Sequence, residues 1–270
     1  MSVAAPGHVA LRGLSVRLGA GAQAFDAVRD LELEIAGGSF VCLLGPSGCG
    51  KSTLLGALAG HLTPSRGEIL LDDSAVDGPH PDRGLVFQQH TLFPWLTLVD
   101  NVAFGPKMRG VARAERREQA LTALDLVGLR EFASFHPAQL SGGMQQRAEI
   151  ARVLINRPRV LLMDEPFGAL DAQTRAQMQG QLLATWAQVR TTVVFITHDV
   201  DEALFLADRV LVMSARPGRV IADMPIDFPR PRSTALLTDP AFVARKRRCL
   251  ELLAEQAPAA LDRLSPLGVR

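Results

Sequence analysis

Phe40-Val41-Cys42-Leu43-Leu44 runs directly into Gly45-Pro46-Ser47-Gly48-Cys49-Gly50-Lys51-Ser52, with Thr53 next. Five consecutive apolar residues are the pattern of a strand buried on both faces. Leu54, Leu55, Leu58 and Leu62 then recur at helical spacing, which predicts a helix over 52–62. The octapeptide matches GxxxxGK[ST] in the context that gives the pattern its meaning, between a buried strand and a helix. Its glycines let the backbone bend so that successive N–H groups converge on phosphate oxygens, with the positive end of the helix dipole behind them. Lys51 is placed to reach the terminal phosphates and the Ser52 hydroxyl to ligate magnesium, so residues 45–53 form the candidate nucleotide loop. The competing reading, a Gly-rich turn with a chance lysine, leaves the flanking strand and helix unexplained. Cys49 is read as a small residue packed beneath the loop rather than as a redox group.

The strand-then-chemistry pattern recurs twice downstream. Val160-Leu161-Leu162-Met163 ends at Asp164-Glu165-Pro166, which places two carboxylates at the carboxyl edge of a sheet, where open α/β folds bind ligands. Asp164 is the expected magnesium contact, direct or through water. Glu165 is placed to orient and deprotonate a water attacking a γ-phosphate. Without the phosphate loop, the pair would read as solvated acids at a strand end. His198 follows the apolar run 193–197 in the same way. It has two readings: a hydrogen bond to the γ-phosphate and attacking water, or a cap on the next helix alongside Asp199.

Composition sets bounds on everything else. Among 270 residues, 29 basic and 28 acidic side chains leave a net charge of +1, without the electrostatic footprint of a nucleic-acid binder. A hydrophobic content of 47% suffices for a core. Cys42, Cys49 and Cys249 are odd in number and form no CxxC pair, which fits neither a disulfide framework nor a zinc site; a reducing compartment is expected. There is no charged leader before an apolar run, and no stretch approaches the roughly 18 apolar residues of a membrane span, so any membrane business is expected to pass through a partner. Leu31, Leu33 and Ile35 alternate with Glu32 and Glu34 as a strand with one wet face, ended by Gly37-Gly38. From about 95 to 158 the texture is helical and charged, without a strong strand candidate. The helical run AQTRAQMQGQLLATWAQV separates the strand patterns at 160–163 and 193–197, as in a parallel sheet with crossover helices. Residues 211–213 and 220–221 flank Arg216-Pro217-Gly218-Arg219 as a hairpin, and the tail beyond about 228 is helical around 242–253.

Leu140-Ser141-Gly142-Gly143-Met144-Gln145-Gln146-Arg147 opens a helix with Met144, Ala148, Ala151 and Ile155 on one stripe. A serine and two glycines at a helix amino terminus make a second anion site, which a single phosphate site does not need so far away in sequence. At these residues the chain resembles the ABC ATPase family. The resemblance covers residues 9 to about 225 and holds in family order: phosphate loop, Gln88, signature, acid pair, Ala169-Leu170-Asp171 and His198. It implies an α/β P-loop NTPase core, a mixed sheet with an antiparallel β subdomain, plus an α-helical subdomain. The division it suggests is 1–88 for the N-terminal core with the loop, 89–158 for the helical subdomain with the signature, 159–228 for the rest of the core and 229–270 for a helical tail. It implies ATP and Mg2+ as ligands, with Ser141, Gly142 and Gly143 capping the ATP held by the opposite subunit of a homodimer. By the same analogy Gln88 senses magnesium and γ-phosphate at the hinge to the helical subdomain, Asp171 contacts the partner subunit, and His198 is the switch histidine beside the catalytic Glu165. Two departures stand out. The family stacks adenine on an aromatic residue upstream of the loop, whereas this chain has no Tyr and Leu18 falls at that place, with Phe25 the alternative. Met144 stands where Gln more often ends the signature.

The run QHTLFPWLTLVDNV at 89–102 puts Leu92, Phe93, Trp95 and Leu96 where the family receives a helix from a membrane subunit. The alternative is that Phe93 and Trp95 pack the subdomains together. The resemblance is strongest to importer ATPases for nitrate, taurine and aliphatic sulfonates, the taurine type foremost. The implied partners are a second copy, integral membrane permease subunits and, indirectly, a periplasmic or extracytoplasmic solute-binding protein, at the cytoplasmic face of the cell membrane; no nucleic acid is implied. The rival is a soluble ABC ATPase of DNA repair or chromosome maintenance, but about ninety residues without sustained heptads separate loop and signature, too few for the long coiled coils of that class.

Overall fold

The computed structural model describes residues 5–261. In chain order its elements are β1 (Val9–Leu18), β2 (Phe25–Ile35), β3 (Phe40–Leu44), α1 (Lys51–Leu58), β4 (Arg66–Leu71), β5 (Ser74–Ala75) and β6 (Arg83–Val86). There follow α2 (Leu98–Val102), α3 (Phe104–Met108), α4 (Arg113–Leu126), α5 (Gly142–Leu154), β7 (Val160–Asp164) and α6 (Ala172–Val189). The last are β8 (Thr192–Thr197), α7 (Val200–Leu206), β9 (Arg209–Met213), β10 (Val220–Pro225) and α8 (Pro240–Leu261). Two compact units form: residues 7–79 with those from 192 onward, and residues 80–191 with the segment ending at Pro6.

In the first unit β3 is flanked by β8 and β9, both parallel to it, with Leu44 opposite Thr197 and Val212; β10 pairs antiparallel with β9. Each of the five β3 side chains is fully buried, as the unbroken apolar run predicts. At about 1.5–3 kcal/mol for each large side chain, this strand alone is a major stabilising element. An antiparallel sheet, ordered β2-β1-β4-β5, makes the second layer, with Leu31, Leu33 and Ile35 buried and Glu32 and Glu34 exposed. The tail is tied to α7. Arg232 donates to the carbonyls of Phe205 at 2.9 Å and Ala207 at 2.8 Å, completing the carboxyl end of α7, and Lys246 pairs with Asp201 at 2.7 Å.

In the second unit β6 and β7 pair in parallel, Val86 opposite Met163. Helices α2, α4 and α5 share a core that includes Leu98, Val102, Ala120, Leu124, Ala148, Ala151 and Ile155, with Met144 packed against it. This realises the stripe expected on α5. The longest helix between the nucleotide loop and α5 is α4, of 14 residues, so no long coiled coil stands there.

The α/β architecture with an antiparallel sheet and a helical cluster is as the sequence implies. Four elements differ. Helix α1 stops at Leu58 rather than near 62, because Gly60 turns with φ +82° and a Cβ there would come within 2.2 Å of the Gly78 carbonyl oxygen. The strands β4 and β5 were not anticipated. Nor was β6, whose four residues give no period to read.

Candidate nucleotide site

In the first unit the loop leaves the buried end of β3 and returns into α1. Gly50 has φ +102°, and a Cβ on it would approach the Ala27 carbonyl oxygen to 2.6 Å, so both backbone and space require glycine there. Lys51 is only 6% exposed; its Nζ donates to the carbonyls of Gly45 at 2.7 Å and Pro46 at 3.1 Å. The ammonium is thus drawn across the arch of the loop. Burial raises the Cys49 thiol above its ordinary pKa, with Lys51 opposing, so the thiol stays neutral and serves packing. His198 follows Thr197, the register partner of Leu44, and so lies at the same sheet edge as the start of the loop. The helix-cap alternative for His198 belongs to its neighbour: Asp199 accepts from Glu202 N at 3.1 Å. Leu18 and Phe25 are cross-strand partners, so the two candidate adenine contacts are adjacent, and only Phe25 offers a ring.

In the second unit Gln88 and the Asp164-Glu165 pair lie at one edge of the β6–β7 pair. A Cβ built on Gly168 would lie 3.7 Å from Gln88 Nε2 and 3.8 Å from Glu165 Oε2, so amide and carboxylate face one spot. Glu165 has φ +44°, a conformation that costs a non-glycine residue roughly 1–3 kcal/mol and persists where its surroundings enforce it. Ser141 caps α5, its Oγ accepting from Met144 N at 3.3 Å, while Gly142 stays exposed at the helix start. A Cβ on Gly143 would come within 3.1 Å of Thr174, which explains a second glycine. Asp171 caps α6: its Oδ1 accepts from Gln173 N and Thr174 N and its Oδ2 from Thr174 Oγ1. The Thr174 amide, above all, holds its carboxyl below the usual range.

Sequence reasoning missed an anchor beside Gln88. Glu149, 2% exposed, accepts from the backbone N and the Oγ1 of Thr91, and faces His90 Nδ1 at 3.6 Å. Arg152 donates to Thr91 O at 2.8 Å and lies over the Phe93 ring. No pattern in the sequence signalled it, because Glu149 shares its helix face with Gln145, Gln146 and Arg152 and reads there as part of a solvated polar face. Of the aromatic run, Leu92 is buried in the helical core, Phe93 is half-buried against Phe104, and Trp95 is 72% exposed. No group of three or more His, Cys, Asp or Glu able to hold a metal occurs among the described residues.

Comparison with known proteins bears on this geometry. A family profile described as ABC transporter matches residues 28–168, just over half of the chain. An ATP-binding protein of Brucella abortus is 54% identical over 234 residues, covering 87% of this chain and 90% of the relative. The taurine import ATP-binding protein TauB of Rhizobium johnstonii is 54% identical over 216 residues, covering 80% of this chain and 81% of TauB. Among solved structures, the dimeric post-hydrolysis state of the ATP-binding cassette MJ0796 with ADP and Pi superposes with a TM-score of 0.69 at 33% identity, over 82% of this chain and all of that one. With identity of this order sustained along most of each chain, on the same loop-bearing α/β fold, the protein belongs to the ABC transporter family and is an ATP-binding cassette ATPase.

Proposed function

We propose that the chain is the ATP-hydrolysing subunit of a solute importer, acting as a homodimer on separate membrane permease subunits. The observation that carries the catalytic part is Glu165, held at positive φ with its carboxylate and the Gln88 amide facing one spot. In this reading the backbone N–H groups of residues 45–53, Pro46 excepted since it has none, and the Lys51 ammonium bind the β- and γ-phosphates. Glu165 accepts the proton of the attacking water as its oxygen bonds the γ-phosphorus and ADP leaves. His198 positions the γ-phosphate oxygen. The hydroxyl of Ser52, the carboxylate of Asp164 and the amide oxygen of Gln88 are hard oxygen donors of the kind that suit Mg2+, which keeps several waters and takes the rest of its shell from phosphates. When bound, that ion neutralises charge developing on the phosphoryl oxygens.

The dimer is supported by the MJ0796 cassette, whose solved post-hydrolysis state is dimeric with ADP and Pi. Ser141, Gly142 and Gly143 of one copy cap the ATP on the other; Asp171 borders that contact while capping its own helix. Among the described residues no helix is long and apolar enough to cross a membrane; in this reading the solute path belongs to the permease subunits. Trp95, with Phe93 and Arg152 behind it, is the surface that receives them from the cytoplasmic face. The likeness to TauB, a taurine import ATP-binding protein, supports taurine or a related sulfonate as cargo, delivered by a solute-binding protein; nitrate is the alternative.

Phosphate release by the purified chain tests the catalytic assignment. Glu165→Gln is expected to lower turnover at least about a hundredfold while leaving ATP affinity intact. Turnover indifferent to this change would remove Glu165 from the chemistry.

A further inference from the structure

The turn between β9 and β10 has no part in the function described so far, yet it is built against the nucleotide loop. Gly218 N donates to Ala27 O at 2.8 Å, and Arg29 N donates to Gly218 O at 3.1 Å, which stitches the turn to β2. A Cβ on Gly218 would lie 2.2 Å from the carbonyl oxygen of Cys49, so the turn presses on the loop itself. Ser214 closes the turn from within: its N donates to Arg219 O at 2.9 Å, and its Oγ donates to Pro217 O at 3.1 Å and accepts from Arg219 N at 3.1 Å. This fixed platform carries Arg216. Its guanidinium carbon lies 4.3 Å from the centroid of the Phe25 ring, and its Nη2 lies 3.9 Å from where a Cβ on Gly48 would stand. Both Arg216 and Phe25 are exposed, Phe25 to 37%.

We propose that Arg216, held over Phe25, is the residue on which the nucleotide base rests. Leu18, the cross-strand partner of Phe25, has no π-face, and the ring of Phe25 already has the guanidinium over it. A guanidinium is planar and weakly hydrated, stacks on an aromatic ring on one side and accepts a heterocyclic base on the other. Phe25 and Arg216 thus form a two-layer shelf beside Gly48, with the ring positioning the arginine and the arginine contacting the base. The proposal rests on residues 45–53 being the nucleotide loop.

The test is calorimetric binding of ATP and of inorganic tripolyphosphate to the full chain in a Glu165→Gln background, which prevents turnover during titration. Arg216→Ala is expected to weaken ATP binding about tenfold and to leave tripolyphosphate unchanged, since a stacked base is the only contact removed. Arg216→Lys keeps the charge without the plane and is expected to behave like Arg216→Ala. Phe25→Leu is expected to weaken ATP binding by a smaller factor, through loss of the arginine's support. ATP affinity unchanged in Arg216→Ala would overturn the proposal, as would an equal loss of tripolyphosphate or full rescue by lysine, either of which would make Arg216 a phosphate contact. Lys51→Ala separates the two levels: if it binds ATP and tripolyphosphate as the parent does, the loop assignment fails, whatever Arg216 does. Thermal melts of all variants confirm that the fold is intact.

Discussion

Residue types at fixed spacing point to the proposed chemistry, but not to what else each side chain does. Asp164, Glu165 and His198 lie at strand ends, as their apolar lead-ins indicate, because a run of buried residues followed by a charge has few places to end except a sheet edge, whereas Lys51 opens α1 at the far end of the loop that leaves β3. The cap made by Asp171 on α6 and the anchor made by Glu149 needed coordinates, since both depend on partners that local patterning does not rank. Glu149 offers a prediction at this scale. It is buried, engages Thr91 twice, and lies beside the half-buried Arg152. Glu149→Ala removes the acceptor of both Thr91 bonds and a charge that favours the ionised arginine, and the expected cost is about 2 kcal/mol, the magnitude for losing hydrogen bonds to a charged group. Chemical denaturation would show it as a lower midpoint with an unchanged slope; a shift under about 0.5 kcal/mol would mean that Glu149 contributes little.

Elements were legible in proportion to their length and periodicity. Strand β3 and the 18-residue helix α6 coincide with the runs read from the sequence, because a continuous apolar block and a long 3.6-residue period each admit one interpretation. Strand β6 has four residues, three of them half-buried, and β5 has two, so tertiary pairing rather than pattern defines them. The start of α6 carries a pH-dependent term. The Asp171 carboxyl is held below its ordinary value of 3.8, chiefly by the Thr174 amide and hydroxyl. A lowered folded-state pKa contributes stability that is present above the unfolded value and lost as pH falls through the folded one. The stability difference between wild type and Asp171→Asn is therefore expected to be constant from neutral pH down to about 5 and to shrink below 3.8, followed by circular dichroism melts. A difference that grows on acidification would contradict the cap.

At the scale of the whole molecule, the chain has one phosphate loop, in the unit of residues 7–79 and 192 onward, and one Ser141-led helix start, in the unit of residues 80–191. In the proposed composite site, a nucleotide held by the loop of one copy and capped by Ser141 of another would make ATP the link between subunits, and its hydrolysis their release. In the proposed role nothing in the chain needs to recognise the cargo. A subunit that couples without touching the solute has no pocket shaped to it, and the resemblance to TauB is what speaks to that point. The exposed Trp95 is where coupling would leave the molecule.

The central claim is tested most directly by light scattering of the Glu165→Gln chain with and without ATP and magnesium, beside a Glu165→Gln, Ser141→Arg double variant. The account predicts a mass of 29.1 kDa without nucleotide, doubling with ATP in the single variant and remaining monomeric in the double variant, where an arginine occupies the capping position. A single variant that stays monomeric at saturating ATP, or a double variant that pairs just as well, would contradict the composite site.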